Sequence, residues 1–105
     1  MPEVARKDLT ETVFSPDGTG NDCKSPTTQR SFMGSSNVFA NSIGVVRLGD
    51  EMVPHNGPGC GTHAPPLSRG SPNVFANNRA IGRKGDPYGR DHILLTGSPT
   101  VFANS

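Results

Sequence analysis

The sequence predicts an all-β fold, a small pseudo-threefold cone of three β-hairpin repeats whose irregular loops converge at one end. Three observations carry this prediction. One phrase occurs three times, as GSSNVFAN from Gly34, GSPNVFAN from Gly70 and GSPTVFAN from Gly97. The 13 glycines and 10 prolines interrupt every window in which a helical apolar period could develop. The residues between the repeated segments are typical of loops and hold all the histidines and cysteines.

The size and composition indicate one small domain, residues 1–105, with repeat thirds of approximately 1–42, 43–78 and 79–105. Only 31% of the residues are hydrophobic, so the core is modest, and we expect an additional cross-link to stabilise the fold. No apolar run approaches the roughly 20 residues of a spanning helix, and no charged-then-apolar leader is present. We therefore expect a chain made in the cytoplasm without a signal peptide.

The Val-Phe-Ala core of each phrase predicts a short strand. Side chains alternate between the two faces of a strand, which places Phe39, Phe75 and Phe102 on one face and the flanking Val and Ala on the other. Asn41-Ser42 and Asn77-Asn78 follow directly. Because Asn tolerates the positive φ of a type I′ turn, these dipeptides predict two-residue hairpin loops.

A second element alternates with the first: IGVVRLGD from Ile43, RAIGRKGD from Arg79 and the shorter VARKD from Val4. The chain therefore begins and ends in the middle of a unit. Three copies about a common axis would bring either the three Phe or the Val and Ala positions together at the centre. A linear solenoid is the alternative, although three units with unequal insertions suit it poorly.

The loops contain side chains that bind metals. His55, Cys60 and His63 occur as HNGPGCGTH, and His92 follows in the third loop. Imidazole and thiolate are preferred ligands of zinc and also serve iron, and four of them complete a tetrahedral site of the structural type. Cys23, in the first loop, is an equal candidate for the sulfur ligand. Two alternatives remain: ordinary loop residues, or a Cys23–Cys60 disulfide.

Other functional classes find little support. The sequence lacks H-E-x-x-H, G-x-S-x-G and G-x-x-x-x-G-K-[ST], so we expect no enzyme activity and no small-molecule substrate. A formal net charge of +1, one Tyr and no Trp argue against nucleic-acid binding. Asp91, beside His92, either orients that imidazole ring or is a solvated loop carboxylate.

Together, the three Gly-Ser-x-x-Val-Phe-Ala-Asn phrases and the Arg-x-Gly-Asp elements resemble the PAAR-repeat family of spike-tip proteins, found in contractile phage tails and type VI secretion systems. The resemblance covers essentially the whole chain. It implies a β cone with a structural metal, usually zinc, held near the sharp end by His55, His63, His92 and either Cys60 or Cys23. Asn21 stands where relatives of the short phage type often carry His.

The resemblance also implies a partner and a location. One copy would cap a trimeric β-helical spike protein at the tail baseplate of a virion and contact the target-cell membrane transiently during piercing. A type VI secretion tip and a small free-standing metal-binding adaptor are the alternatives. The sequence leaves open zinc or iron, and phage or secretion system.

Overall fold

The computed structural model describes residues 2–103 and consists of short antiparallel strands joined by turns. No helix longer than a single 3-10 turn occurs within these residues, which confirms the prediction of a β fold. The two 3-10 turns are Asn21–Cys23 and Pro58–Cys60. The strands are β1 (Thr12–Thr19), β2 (Ser25–Arg30), β3 (Phe39–Ala40), β4 (Ile43–Gly44), β5 (His55–Asn56), β6 (Thr62–His63), β7 (Phe75–Ala76), β8 (Arg79–Ala80), β9 (Pro87–Tyr88) and β10 (His92–Leu94).

Two of the repeated phrases form matching hairpins. In β3–β4, Phe39 pairs with Gly44, and in β7–β8, Phe75 pairs with Ala80. The loop residues have the positive φ angles predicted from the sequence: Asn41 53°, Ser42 66°, Asn77 54° and Asn78 64°. The hairpin turns are therefore confirmed where the Asn dipeptides predicted them.

The third copy of the phrase pairs with the other end of the chain. Phe102 forms an antiparallel bridge with Glu3, and the amide of Val4 donates to the carbonyl of Val101 at 2.9 Å. Both β hairpins contain an equivalent bond, from Val45 to Val38 and from Ile81 to Val74, each 3.0 Å long. The N-terminal segment thus supplies the partner strand that the third phrase lacks.

The segments that pair with the three phrases, here called the partner segments, contain Ala5, Val46 and Gly82. They also form hydrogen bonds with one another in a closed ring. The amide of Ala5 donates to the carbonyl of Gly82 at 2.9 Å, that of Gly82 to Val46 at 2.7 Å, and that of Val46 to Ala5 at 2.9 Å. Each segment gives one hydrogen bond and accepts one. Backbone groups that would otherwise be buried without partners are satisfied in this way.

Neighbouring residues of the ring segments belong to two different apolar clusters: Val4 and Val45 to the first, and Ala5 and Val46 to the second. The first unites the alanines of the repeated phrases with three partner-segment residues, with Val38, Val74 and Val101 packed against it: Val4, Ala40, Val45, Ala76, Ile81 and Ala103. The second comprises Ala5, Val13, Val46, Met52, Leu67, Tyr88 and Leu94. The Val and Ala positions therefore face inward, whereas Phe39, Phe75 and Phe102 remain 56%, 59% and 45% exposed.

A buried ion pair follows each partner segment: Arg6–Glu11, Arg47–Asp50 and Arg83–Asp86. In the second pair, the backbone amide and the Nε of Arg47 both donate to Asp50 Oδ2, at 2.8 and 2.9 Å. The other two pairs repeat this double contact. The Arg-x-Gly-Asp elements therefore close a tight turn around a fully buried carboxylate.

The longer strands form an antiparallel sheet in the order β2-β1-β10-β9, and β5 and β6 form a separate hairpin. Buried positions alternate along β1 at Val13, Ser15 and Asp17, and along β10 at Leu94 and His92. The body is elongated, with extents of 39 × 23 × 22 Å. No helix among the described residues has the length and apolar character needed to cross a membrane.

Candidate metal centre

Four side chains of the types that can hold a metal ion converge at one place in the fold. Asp17 lies on β1 and His92 on β10, while His55 and His63 are direct partners across the β5–β6 pair. One oxygen or nitrogen from each lies within 4.8 Å of the others. Asp17, His55 and His92 are buried, and His63 is partly exposed. The three histidines predicted from the sequence are thus brought together.

The spacing of these atoms fits a tetrahedral ion. His55 Nε2 lies 3.0 Å from Asp17 Oδ1, 3.1 Å from His92 Nε2 and 2.9 Å from His63 Nε2. Asp17 Oδ1 lies 3.4 Å from His92 Nε2, and Asp17 Oδ2 lies 3.3 Å from His63 Nε2. A tetrahedron with metal–ligand bonds near 2.0–2.1 Å has edges of about 3.3–3.4 Å. These five distances lie within about half an ångström of such an edge, and one ligand atom of each group lies within 4.8 Å of the others, so a modest rearrangement of the side chains would let them bind an ion of this kind.

Hydrogen bonds at the far side of two imidazole rings fix their tautomers. His55 Nδ1 lies 2.9 Å from the carbonyl oxygen of Val53, and His92 Nδ1 lies 2.8 Å from Asp91 Oδ1. Each Nδ1 therefore carries the proton that it donates, which leaves the Nε2 lone pair directed at the cluster. Both interpretations of Asp91 apply, because its carboxylate contacts His92 Nδ1 while its side chain remains 65% exposed.

The charge at Asp17 is stabilised by its surroundings. Burial alone would raise the pKa of this carboxyl, but a hydrogen bond from Ser15 and the electrostatic attraction of the neighbouring His92 and His63 rings outweigh burial and hold the pKa below its ordinary value. Ser15 Oγ donates to Asp17 Oδ1 at 2.9 Å. The fourth ligand position is therefore an ionised carboxylate that is already oriented.

The cysteines do not belong to this cluster. Cys23 and Cys60 form a disulfide with a Cα–Cα distance of 5.3 Å and a sequence separation of 37. Each cysteine ends a 3-10 turn with a positive φ, 56° at Cys23 and 68° at Cys60, and the two turns face each other. The expectation that Cys60 or Cys23 supplies a sulfur ligand is therefore corrected, because each sulfur is bonded to the other. The disulfide that remained as an alternative is the observed state.

Asp17 was not among the residues predicted from the sequence. It occurs in Ser15-Pro16-Asp17-Gly18, a run typical of an exposed turn. The available signal was the alternation Val13, Ser15, Asp17, which continues the buried face of β1 up to the carboxylate. Asn21, the first-loop position singled out by the resemblance, is exposed and outside the cluster.

The glycines of the His55–His63 hairpin have different roles. Gly59 has a φ of +79°, which a residue with a side chain rarely adopts. Gly57 has an ordinary φ of −94°, but a Cβ there would lie 3.0 Å from both Cδ2 and Nε2 of His63. Gly57 therefore keeps open the space in which the His63 ring sits.

Comparison with protein-family models and with curated proteins finds no match to this chain. The chemistry of the site is therefore inferred from its donor atoms. Three neutral imidazoles and one carboxylate form a borderline-hard donor set that suits zinc or ferrous iron. With four protein ligands, such an ion would have its tetrahedral positions filled by the chain itself, the arrangement of structural sites.

Proposed function

We propose that this chain is the structural tip protein that caps the trimeric β-helical spike of a contractile injection machine, and that the machine is a phage tail. The closed ring of hydrogen bonds among Ala5, Gly82 and Val46 is the observation that carries the proposal. Three segments of one chain are equivalent in this ring. A single chain with internal threefold repetition can match a partner built from three identical subunits.

The repeated contacts support a pseudo-threefold cone. Asn77 Nδ2 donates to Asn37 Oδ1 in the preceding repeat, at 2.8 Å, and Asn41 Nδ2 donates to Thr100 Oγ1 in the third, at 2.8 Å. The position that would complete this series is Asn104, which lies outside the described residues. In the proposed cone, the threefold axis passes through the hydrogen-bonded ring of Ala5, Gly82 and Val46.

The exposed phenylalanines supply the docking face. Phe39, Phe75 and Phe102 occupy the same position in the three phrases, and each is about half exposed while its Ala neighbour is buried. Aromatic side chains repeated about an axis would each contact one subunit of a trimeric spike end. Their burial would remove apolar surface from water, which is the main favourable term in such association. This geometry gives one copy per trimer.

The metal centre supports the role of a hard tip. A structural zinc ion, or iron, bound by Asp17, His55, His63 and His92 would join β1, the β5–β6 hairpin and β10 where the apolar core ends. Structural zinc contributes binding free energy on the order of 10 kcal/mol at neutral pH, which compensates for a small core. The proposed role is mechanical: the tip is a virion component that contacts the target membrane during piercing, without catalysis and without nucleic acid.

The test is a binding experiment with the trimeric β-helical spike protein of the same tail. We expect a stable complex with one copy per trimer, measured by light scattering after size-exclusion chromatography. The triple variant Phe39→Ser, Phe75→Ser, Phe102→Ser should lose the complex. A matched variant, Phe14→Ser with Phe32→Ser, removes exposed aromatic residues outside the phrases and should retain it. A protein that stays monomeric beside the spike would contradict the proposal and favour a free-standing metal-binding module.

A further inference from the structure

The disulfide and the metal cluster cross-link the same two parts of the chain. The β1–β2 hairpin supplies Asp17 to the cluster and, from its connecting loop, Cys23 to the disulfide. The β5–β6 hairpin supplies His55 and His63 to the cluster and, between them, Cys60 to the disulfide. Each cross-link holds the two hairpins in the relative position that the other requires.

We propose that disulfide formation and metal binding are coupled, so that the oxidised protein binds the ion more tightly and the bound ion favours the disulfide. This inference rests on the metal centre of the proposed function. Asp17 and His55 lie 38 residues apart along the chain. With Cys23 and Cys60 joined, the shortest covalent path between the two ligands contains only about a dozen residues. The loop-closure entropy that metal binding must overcome is therefore smaller.

The size of the coupling follows from that change in loop length. Closure cost grows with the logarithm of the number of residues, so shortening the path by this factor is worth up to about fivefold in affinity. Binding linkage is reciprocal, so the ion must favour the disulfide over the dithiol by the same factor. A fivefold shift in a two-electron couple corresponds to about 20 mV.

The redox step uses a small-molecule disulfide such as oxidised glutathione. The Cys23 and Cys60 thiols lose two electrons and two protons as their S–S bond forms. The S–S bond of glutathione breaks, and its two sulfurs take up those electrons and protons as two thiols. Zn²⁺ has no redox chemistry of its own, so the two electrons pass only between sulfur atoms.

Two equilibrium measurements on the full chain test the coupling. In the first, the oxidised protein and the anaerobically reduced protein compete with a chromophoric chelator for Zn²⁺. In the second, the protein is equilibrated in glutathione buffers of graded ratio, with and without buffered free Zn²⁺, then alkylated and weighed by mass spectrometry. The double variant Cys23→Ser, Cys60→Ser should bind Zn²⁺ as the reduced protein does. Asp17→Asn keeps both cysteines and should lose the Zn²⁺-dependent shift.

We expect Zn²⁺ binding that is tighter by up to about fivefold in the oxidised form, with a matching shift of the glutathione midpoint. Equal Zn²⁺ affinities in the two forms would overturn the coupling and leave the metal centre standing. Tighter binding by the reduced form would also overturn it, because a released thiolate would then be entering the coordination sphere. Absence of Zn²⁺ binding in both forms would overturn the metal centre itself.

Discussion

His55 and His63 are direct partners across the β5–β6 pair, and their Nε2 atoms lie 2.9 Å apart. Two neutral imidazole nitrogens cannot both present lone pairs at this distance without repulsion, so a cation or a proton must lie between them. His92 Nε2 adds a third nitrogen 3.1 Å from His55. The hairpin therefore depends on what occupies the cluster, and four predictions follow from this geometry and the packing beneath it.

Metal removal should destabilise the fold. An ion present at a thousand times its Kd stabilises the folded state by about 4 kcal/mol, so a strong chelator should lower the Tm by roughly 15 °C or more for a chain of this size. Differential scanning calorimetry with and without the chelator measures the shift. Added Zn²⁺ should restore the Tm, whereas Mg²⁺ should not, because it prefers oxygen ligands. A Tm unchanged by chelation would contradict a structural metal.

Substitutions of the four ligand residues should reduce zinc binding more than substitutions of the residues around them. Asp17→Asn and His92→Ala each remove one of the four ligand groups and should abolish stoichiometric zinc measured by elemental analysis. Asp91→Ala removes only the partner of His92 Nδ1 and should weaken the affinity by about 10- to 100-fold. Asp22→Asn changes an exposed carboxylate outside the cluster and serves as the control. Equal zinc content in all four variants would exclude this ligand set.

The comparison of sequence with structure shows where local patterns are sufficient. The Asn41-Ser42 and Asn77-Asn78 turns were predictable because Asn at a positive φ is a local property. The pairing of Cys23 with Cys60 could not be predicted in this way. The two residues are 37 positions apart in the sequence, so the distance between them is determined by the tertiary fold. Asp17 was missed because Ser-Pro-Asp-Gly has the composition of a turn, and only the pairing of β1 with β10 brings this carboxylate next to His92.

Zinc binding should depend on the absence of a side chain at Gly57. A Cβ at this position would lie 3.0 Å from the His63 ring, so Gly57→Ala should displace that ligand and lower zinc affinity by about tenfold, by analogy with other changes that disturb ligand orientation. Gly61→Ala is the matched control, because Gly61 has a φ of −73° and no atom within 4 Å of an added Cβ. Chelator competition measures both. If the two variants bind zinc equally well, the proposed role of Gly57 is wrong.

Removal of the Tyr88 hydroxyl group should not lower the stability of the fold. Its side chain is fully buried in the second apolar cluster, and its Oη has no hydrogen-bond partner among the described residues. Burial, together with the negative charges of Asp50 and Glu11, raises the pKa of Tyr88 above its ordinary value, so the group stays neutral. A buried hydroxyl without a partner costs about 1–3 kcal/mol.

Tyr88→Phe should therefore leave the free energy of unfolding unchanged or raise it by about 1 kcal/mol, measured by denaturant titration. Tyr88→Ala creates a cavity at the same position and should cost about 3–5 kcal/mol, the range for large aromatic truncations. The pair separates the contribution of the ring from that of the hydroxyl. A loss of more than 1 kcal/mol in Tyr88→Phe would mean that the hydroxyl is bonded in solution, for example to an internal water held between it and the buried carboxylates.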